Sequence, residues 1–202
     1  NNVLCTCEKE ILAVDSIADE LMENLERNGA YELSDEEAEK IARVVLEDYP
    51  GDDPHVNKEW VGQDAQKIAA EIGVEVPGDT RLLVANTGPD HPFAVEELLM
   101  PVIPLVRISD VDTAIDLAME LEHGFKHTAM IHPRNIENMH RMAVAMNTSI
   151  FVKNGSNLNG LGHEGEGWTS MTITTPTGEG ITSARTFVRR RRCILVDYFR
   201  IV

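Results

Sequence analysis

Short β-rich runs alternate along this sequence with capped, amphipathic helical runs, which points to an α/β domain: a mainly parallel sheet flanked by helices. Two further observations agree. At 202 residues and 43% hydrophobic, the chain is long enough to bury a substantial core as one compact unit. Helix-length segments, not tight turns, separate most of the β-rich runs, and strands joined in that way pair in parallel through right-handed crossovers.

The first strand is expected over Ile11–Val14. Ser16, with Asp19 three residues on, has the pattern of a capping box; Ile17, Leu21 and Leu25 then recur at helical spacing until Asn28-Gly29 stops the run. Ser34 and Glu37 repeat the signal ahead of an apolar stripe of Ala38, Ile41, Ala42 and Val45, with Leu33 just before the cap. A third helix is expected near 63–72, with Ala65, Ile68, Ala69 and Ile72 inward and Gly73 at its end. Strands follow at 81–85 and Val102–Ile108. Ser109 with Asp112 opens a fourth helix, which carries Ala114, Leu117, Ala118 and Leu121 before Gly124. Strands at 127–131 and 148–152 bracket a fifth helix, about 134–146. The tail, 187–202, returns to a strand-like pattern rich in Arg, Val and Ile. Two stretches break the rhythm: a turn-rich linker at 51–54, and a long Gly- and Thr-rich loop at 154–180. A loop of that length inside a compact domain is usually functional or disordered.

Charge and composition narrow the function classes. Net charge is −16, and residues 1–60 hold 17 of the 34 acids against five Lys and Arg, so a polyanion such as nucleic acid is repelled. The plain account of this acidity is a solvated face that aids solubility. No apolar run approaches the roughly 20 residues needed to cross a bilayer, so no membrane span is expected. Cys5, Cys7 and Cys193 are too few and too unevenly placed for a disulfide framework, which fits a reducing, intracellular setting. The chain opens on Asn1-Asn2-Val3-Leu4-Cys5 with neither an initiator Met nor a signal-peptide pattern, and reads as the interior of a longer protein.

Several residues are candidates for chemistry. Cys5 lies in a polar loop just before an apolar strand, where a turn presents a thiol to a pocket; a nucleophilic role needs a neighbourhood that favours the thiolate. Three readings of it stand side by side: an inert structural cysteine, a nucleophile, or a metal ligand with Cys7. The metal reading lacks a second ligand pair at zinc spacing. Cys193, in an alternating run, is expected to be a buried small hydrophobe. The glycine loop is suited to backbone contacts with phosphate but matches neither a Walker A motif nor a dinucleotide fingerprint, so a ligand-facing loop and a mobile surface loop remain equal readings. The arginines at 189–192 are expected to alternate between the faces of a strand, with anion contact as the sharper alternative. His127, taken alone, reads as a satisfied core or loop histidine.

Five stretches in order carry a resemblance: Asn1-Asn2-Val3-Leu4-Cys5 with Glu8-Lys9-Glu10; His91-Pro92-Phe93 running into Glu96-Glu97-Leu98-Leu99-Met100-Pro101; Lys126-His127-Thr128-Ala129; Asn147 to Gly155; and 165–180. Together they resemble the aldehyde dehydrogenase superfamily, in its CoA-acylating branch from propanediol and ethanolamine utilisation, over essentially the whole chain. The first stretch departs from the branch's usual form, which has Pro where Leu4 stands and Ala where Cys7 stands. The resemblance implies a catalytic domain over 1–186, a C-terminal strand segment over 187–202 that joins an inter-subunit sheet along 191–198, and a cofactor-binding domain outside this chain. It implies Cys5 as the nucleophile, Glu97 on the nicotinamide-side ribose and Leu99 against the nicotinamide, with NAD as cofactor and CoA as co-substrate. His127 and Asn154 are implied to line the substrate and CoA pocket, with 165–180 as a channel wall and no metal.

The activity so implied oxidises a short-chain aldehyde (acetaldehyde or propanal) to acyl-CoA through a Cys5 thioester, with this piece inactive alone. The implied partners are the aldehyde, CoA, further copies of the chain as a homo-oligomer, and microcompartment shell proteins through an N-terminal segment. The implied setting is cytoplasmic, or inside a bacterial microcompartment. A hydrolytic aldehyde dehydrogenase giving a free acid is the alternative within the enzymes, and Asn-Asn-x-x-Cys in place of Gly-Gln-x-Cys argues against it. A non-catalytic interaction domain with a relic pocket is the alternative outside them.

Overall fold

The computed structural model describes residues 1–165, 170–173, 180–194 and 196. β1 (Ile11–Val14) runs into α1 (Asp15–Arg27), which returns to β2 (Ala30–Leu33). Then come α2 (Asp35–Val45), a short antiparallel pair of β3 (Leu46–Glu47) and β4 (His55–Val56), α3 (Ala65–Glu71) and β5 (Leu82–Thr87). The chain continues through α4 (Pro92–Val95), β6 (Val102–Ile108), α5 (Val111–Leu121) and β7 (Thr128–Ile131). It goes on to α6 (Ile136–Met146), β8 (Ile150–Lys153) and α7 (Asn157–Gly160).

Four strands form one sheet in the order β1-β6-β5-β2, and every neighbouring pair is parallel. Val102 to Val106 of β6 are all buried, the continuous apolar run of a strand covered on both faces. Side-chain alternation assigns those faces. Leu83 and Ala85 of β5 meet Ile41 and Ala42 of α2, Ile68 of α3 and Phe93 of α4. Val84, between them, faces Ala18 and Met22 of α1 together with Leu105. β7 and β8 make a second, two-stranded parallel sheet. Ala129 and Phe151 pack on α5 and α6, so the alternate residues Ile150 and Val152 point the other way, toward Leu161 and Leu4. That second face is where the chain start is seated.

The α/β class with a mainly parallel sheet is as expected, and the differences from the sequence reading have local causes. The capping box is present at Ser34 and Glu37, with the Ser34 N–H donating to the Glu37 carboxylate at 2.8 Å and the Glu37 N–H to Ser34 Oγ at 3.3 Å. It is absent at Ser16: β1 passes directly into α1, Val14 takes the cap position without a side-chain bond, and Ser16 already lies in the first turn. At the fourth helix the cap is Asp110, whose carboxylate accepts from the Thr113 N–H at 2.9 Å, not Ser109. β2 has no counterpart in the sequence reading, because the stop of α1 and the cap of α2 leave it only four residues.

Residues 195 and 197–202 of the strand expected at the C-terminus lie outside the described residues, and 188–194 form no strand and are exposed. Cys193 is therefore exposed, not buried, since no described strand pairs there to cover it. A 3-10 turn, Ala184–Phe187, crosses the boundary expected after 186. Of the long glycine loop, 157–160 form α7, while 166–169 and 174–179 lie outside the described residues. Among the described residues no helix is long and apolar enough to cross a membrane.

Candidate active site

Cys5 sits in a turn closed by the Cys7 N–H, which donates to the Leu4 carbonyl at 2.9 Å. Its two neighbours are held: Leu4 packs against Ile150, Val152 and Leu161, and Thr6 is buried. Cys5 between them is exposed, and among the described residues its main-chain N–H donates to no group. Cys7 is half-buried, and burial, opposed by its bond to Leu4, pushes its thiol above the usual value. The reactive form of cysteine is the thiolate, so of the two thiols Cys5 has the access and Cys7 is held protonated.

Upstream, a relay of hydrogen bonds ties the start of this turn to Leu99. Asn1 Nδ2 donates to the Gly62 carbonyl at 2.6 Å and to Asp64 Oδ1 at 2.8 Å, and the Gly62 N–H donates to the Leu99 carbonyl at 2.9 Å. Position 62 favours glycine through its φ of +72°, and a Cβ there would lie 3.2 Å from the side chain of the exposed Val3. Leu99 is half-buried between the buried Leu98 and Met100, at φ 54°. Glu97, two residues earlier, is exposed and makes no hydrogen bond or ion pair among the described residues.

The Glu97 segment is aimed by α4. His91 caps that helix, its Nδ1 accepting from the Phe93 N–H at 3.1 Å, and Pro92 takes the first helical position. Phe93 is fully buried and nails the helix to the core. At the other end Lys9, four residues past Cys5, donates from its ammonium to the Val95 carbonyl at 3.3 Å and the Leu121 carbonyl at 3.0 Å. It thereby satisfies terminal carbonyls of both α4 and α5. Burial pushes the neighbouring Glu10 carboxyl above its ordinary range, with Lys9 and His123 pulling it back.

A capping Nδ1 must be unprotonated, and burial lowers the His91 pKa from 6.5, against an upward pull from Glu39. A histidine depressed in the folded state stabilises above the unfolded pKa, and that stability is lost as pH falls through the lower folded value. The thermal midpoint of the full-length protein should therefore drop more steeply below about pH 6.5 than that of His91→Asn, whose amide oxygen caps at every pH. Parallel profiles for the two proteins would remove His91 from this role.

Downstream, Asn157 Nδ2 and the Asn157 N–H donate to the two oxygens of the Glu8 carboxylate, at 2.7 and 3.2 Å, and Thr6 Oγ1 donates to Asn157 Oδ1 at 3.4 Å. Asn154 lies three residues before Asn157, exposed and at φ 53°, its N–H donating to the carbonyl of Ile131, the last residue of β7. His127 precedes β7 at the opposite end of the β7–β8 pair, level with Ser149. Five residue steps along β8, roughly 16 Å, separate that level from Asn154. His127 Nδ1 is 2.7 Å from Thr128 Oγ1, and its N–H donates to Glu122 at 2.8 Å. The structure thus ties the Cys5 turn to Leu99 through Asn1 and Gly62 and to α7 through Asn157, with Glu97 beside Leu99; His127 lies at the Ile150 end of β8, against which Leu4 packs, and Asn154 at the other end.

Asn157, Gly62 and Lys9 are structural parts of this arrangement that sequence reasoning passed over. Asn157 was concealed in a loop read for its glycines, and Lys9 in a motif read for recognition alone. Among the described residues no cluster of three or more His, Cys, Asp or Glu side chains is placed to hold a metal ion. An exposed thiol whose N–H meets no acceptor among the described residues can form and hold a tetrahedral adduct at a carbonyl carbon. An unpartnered carboxylate next to an apolar side chain fits the hydroxyls of a ribose whose attached ring rests on the apolar one.

No protein-family profile matches the chain. It is 58% identical over 204 residues to the acetylating acetaldehyde dehydrogenase EutE of Escherichia coli K12, covering all of this chain and 44% of that protein. Among solved structures it is similar to a Rhodopseudomonas palustris propionaldehyde dehydrogenase with bound CoA and an acylated cysteine. That likeness has a TM-score of 0.89 and 43% identity, and covers 96% of this chain and 44% of the other. A propionaldehyde dehydrogenase from the fucose-utilisation microcompartment of Clostridium phytofermentans matches with a TM-score of 0.88 and 39% identity, over 100% of this chain and 46% of its own. The chain thus spans less than half the length of these relatives.

Proposed function

The chain belongs to the CoA-acylating branch of the aldehyde dehydrogenases, and from that premise we propose that it is the nucleophile-bearing part of an enzyme taking a short-chain aldehyde, acetaldehyde or propanal, with CoA and NAD to acyl-CoA and NADH. The observation that carries this reading is Cys5: an exposed thiol on a turn whose flanking residues are anchored and whose own N–H meets no acceptor among the described residues.

The Cys5 thiolate adds to the aldehyde carbon, and the carbonyl π pair moves onto oxygen. The Cys5 N–H donates to that oxyanion, where a fixed donor acts most strongly because charge develops there. Nicotinamide, when bound, accepts the hydride whose loss turns the adduct into a thioester on Cys5. Glu97 would hold the ribose of that cofactor, and Leu99 would shelter the ring from water. The thiolate of CoA then attacks the thioester carbon and Cys5 leaves as thiolate, an exchange without net redox in which sulfur serves as both nucleophile and leaving group. Asn154 would line the approach of CoA. His127 would line the same pocket from the end of β7 that pairs with Ile150, the residue Leu4 packs against. Assembly as a homo-oligomer and contact with shell proteins complete the proposal, with a place inside a bacterial microcompartment, the last supported by the source of the Clostridium relative.

Full-length protein supplied with propanal or acetaldehyde, CoA and NAD should yield acyl-CoA and NADH in equal amounts, and turnover should cease when CoA is left out. Sustained NADH with free acid and no need for CoA would overturn the reading in favour of hydrolysis.

A further inference from the structure

We propose that Glu8 and Asn157 are positioning residues for the nucleophile: their paired hydrogen bonds, joined by the Thr6 hydroxyl, set the turn that presents Cys5. This rests on the reading of Cys5 as the nucleophile. The contact is long-range, spanning 149 to 151 residues of sequence, so it fixes the turn against a distant segment, not merely within itself. Two of its members are buried, Asn157 at 8% and Thr6 at 1% exposure, and Glu8 is half-buried beside them. Buried polar groups of this kind hold one geometry because every alternative leaves a donor or acceptor unpaired.

The chemistry of the three residues is directional. Asn157 gives its N–H and Nδ2 to the Glu8 carboxylate and takes the Thr6 proton on Oδ1. Turning the amide over would set Oδ1 against the carboxylate, so one orientation is selected. Thr6 and Glu8 stand one and three residues after Cys5, and both are held by the same amide. Leu4, on the other side, is held by Ile150, Val152 and Leu161. The backbone on each side of Cys5 is thus fixed while its thiol stays exposed. Glu8 acts on the neighbouring thiol as well: burial does most to raise Cys7, and the Glu8 charge adds to it. The carboxylate that holds the turn also discourages the competing thiolate.

A reciprocal exchange in the full-length protein tests the proposal. Asn157→Asp sets two carboxylates face to face and should slow acylation of Cys5 by propanal about thirtyfold, the scale of a nucleophile displaced by somewhat less than 1 Å. The KM for NAD should stay within about twofold, because a displaced nucleophile loses its interaction in the transition state and not in cofactor binding. The double variant Glu8→Gln with Asn157→Asp restores a donor facing an acceptor and should recover acylation to within about threefold of the parent. A merely structural role for the pair would shift the thermal midpoint without this loss and recovery. Folded Asn157→Asp acylating within threefold of the parent, or a folded double variant no faster than the single, would overturn the proposal. Should Asn157→Asp fail to fold, Thr6→Val decides, since it removes only the hydroxyl bond: a rate about fivefold down supports the clamp, and an unchanged rate overturns it. If the parent itself takes no acyl group on Cys5, the reading of the nucleophile fails instead, an outcome visible in the parent alone.

Discussion

Replacing Cys5 with Ala in the full-length protein is expected to abolish both acyl-enzyme formation and acyl-CoA release, a loss of at least about 10⁴-fold, as when other covalent nucleophiles are removed. Cys7→Ala should stay within about tenfold of the parent. The contrast follows from the turn. The Cys7 backbone closes it through the Leu4 carbonyl, a bond that alanine keeps, whereas the Cys7 side chain is half-buried with its thiol raised by burial. Alanine also suits the site, since a buried thiol behaves as a small hydrophobe. Peptide mass spectrometry of the enzyme trapped with propanal and NAD, before CoA is added, checks the assignment. An acyl group on Cys7 would overturn it.

Glu97→Gln is expected to slow hydride transfer by about ten- to hundredfold, the equivalent of losing a charged hydrogen bond worth roughly 1.5–3 kcal/mol. Transfer of a preformed acyl group from Cys5 to CoA should change far less. Glu97 is exposed and bonded to nothing among the described residues, so the substitution should leave stability within about 0.5 kcal/mol. That separation makes the comparison of half-reactions clean: a defect confined to hydride transfer marks a ligand contact. Equal damage to both halves, or a large fall in thermal midpoint, would mean that the carboxylate has a structural task instead.

The sheet was readable where local rules and tertiary packing agree. β1 and β6 coincide with their expected limits because both are apolar runs between polar or turn-forming residues, and the Ser34–Glu37 box marks α2 because its two bonds are local. β2 escaped notice because Ala-Tyr-Glu-Leu has no pattern of its own, and pairing with β5 makes it a strand. The site shows the same division. Cys5, Glu97 and Leu99 could be named from motif resemblance, yet no local rule brings residue 1 to residue 62, or residue 8 to residue 157. Those contacts depend on strand register and on which face of β8 meets the chain start, and both emerge only once the sheets are assembled.

Leu99 holds a left-handed backbone, φ 54°, half-buried between Leu98 and Met100. For a residue with a Cβ that conformation costs about 1–2 kcal/mol relative to glycine. Laboratory evolution under heat selection would accordingly enrich glycine or asparagine at position 99, since stabilising exchanges are common and are screened without regard to turnover. Each such winner would lose the apolar surface beside the carboxylate of Glu97. With Leu99 sheltering the nicotinamide as proposed, a heat-tolerant lineage would drift toward a well-folded, poorly performing catalyst unless activity is selected in the same round, and the residue found at 99 in the survivors would record which pressure prevailed.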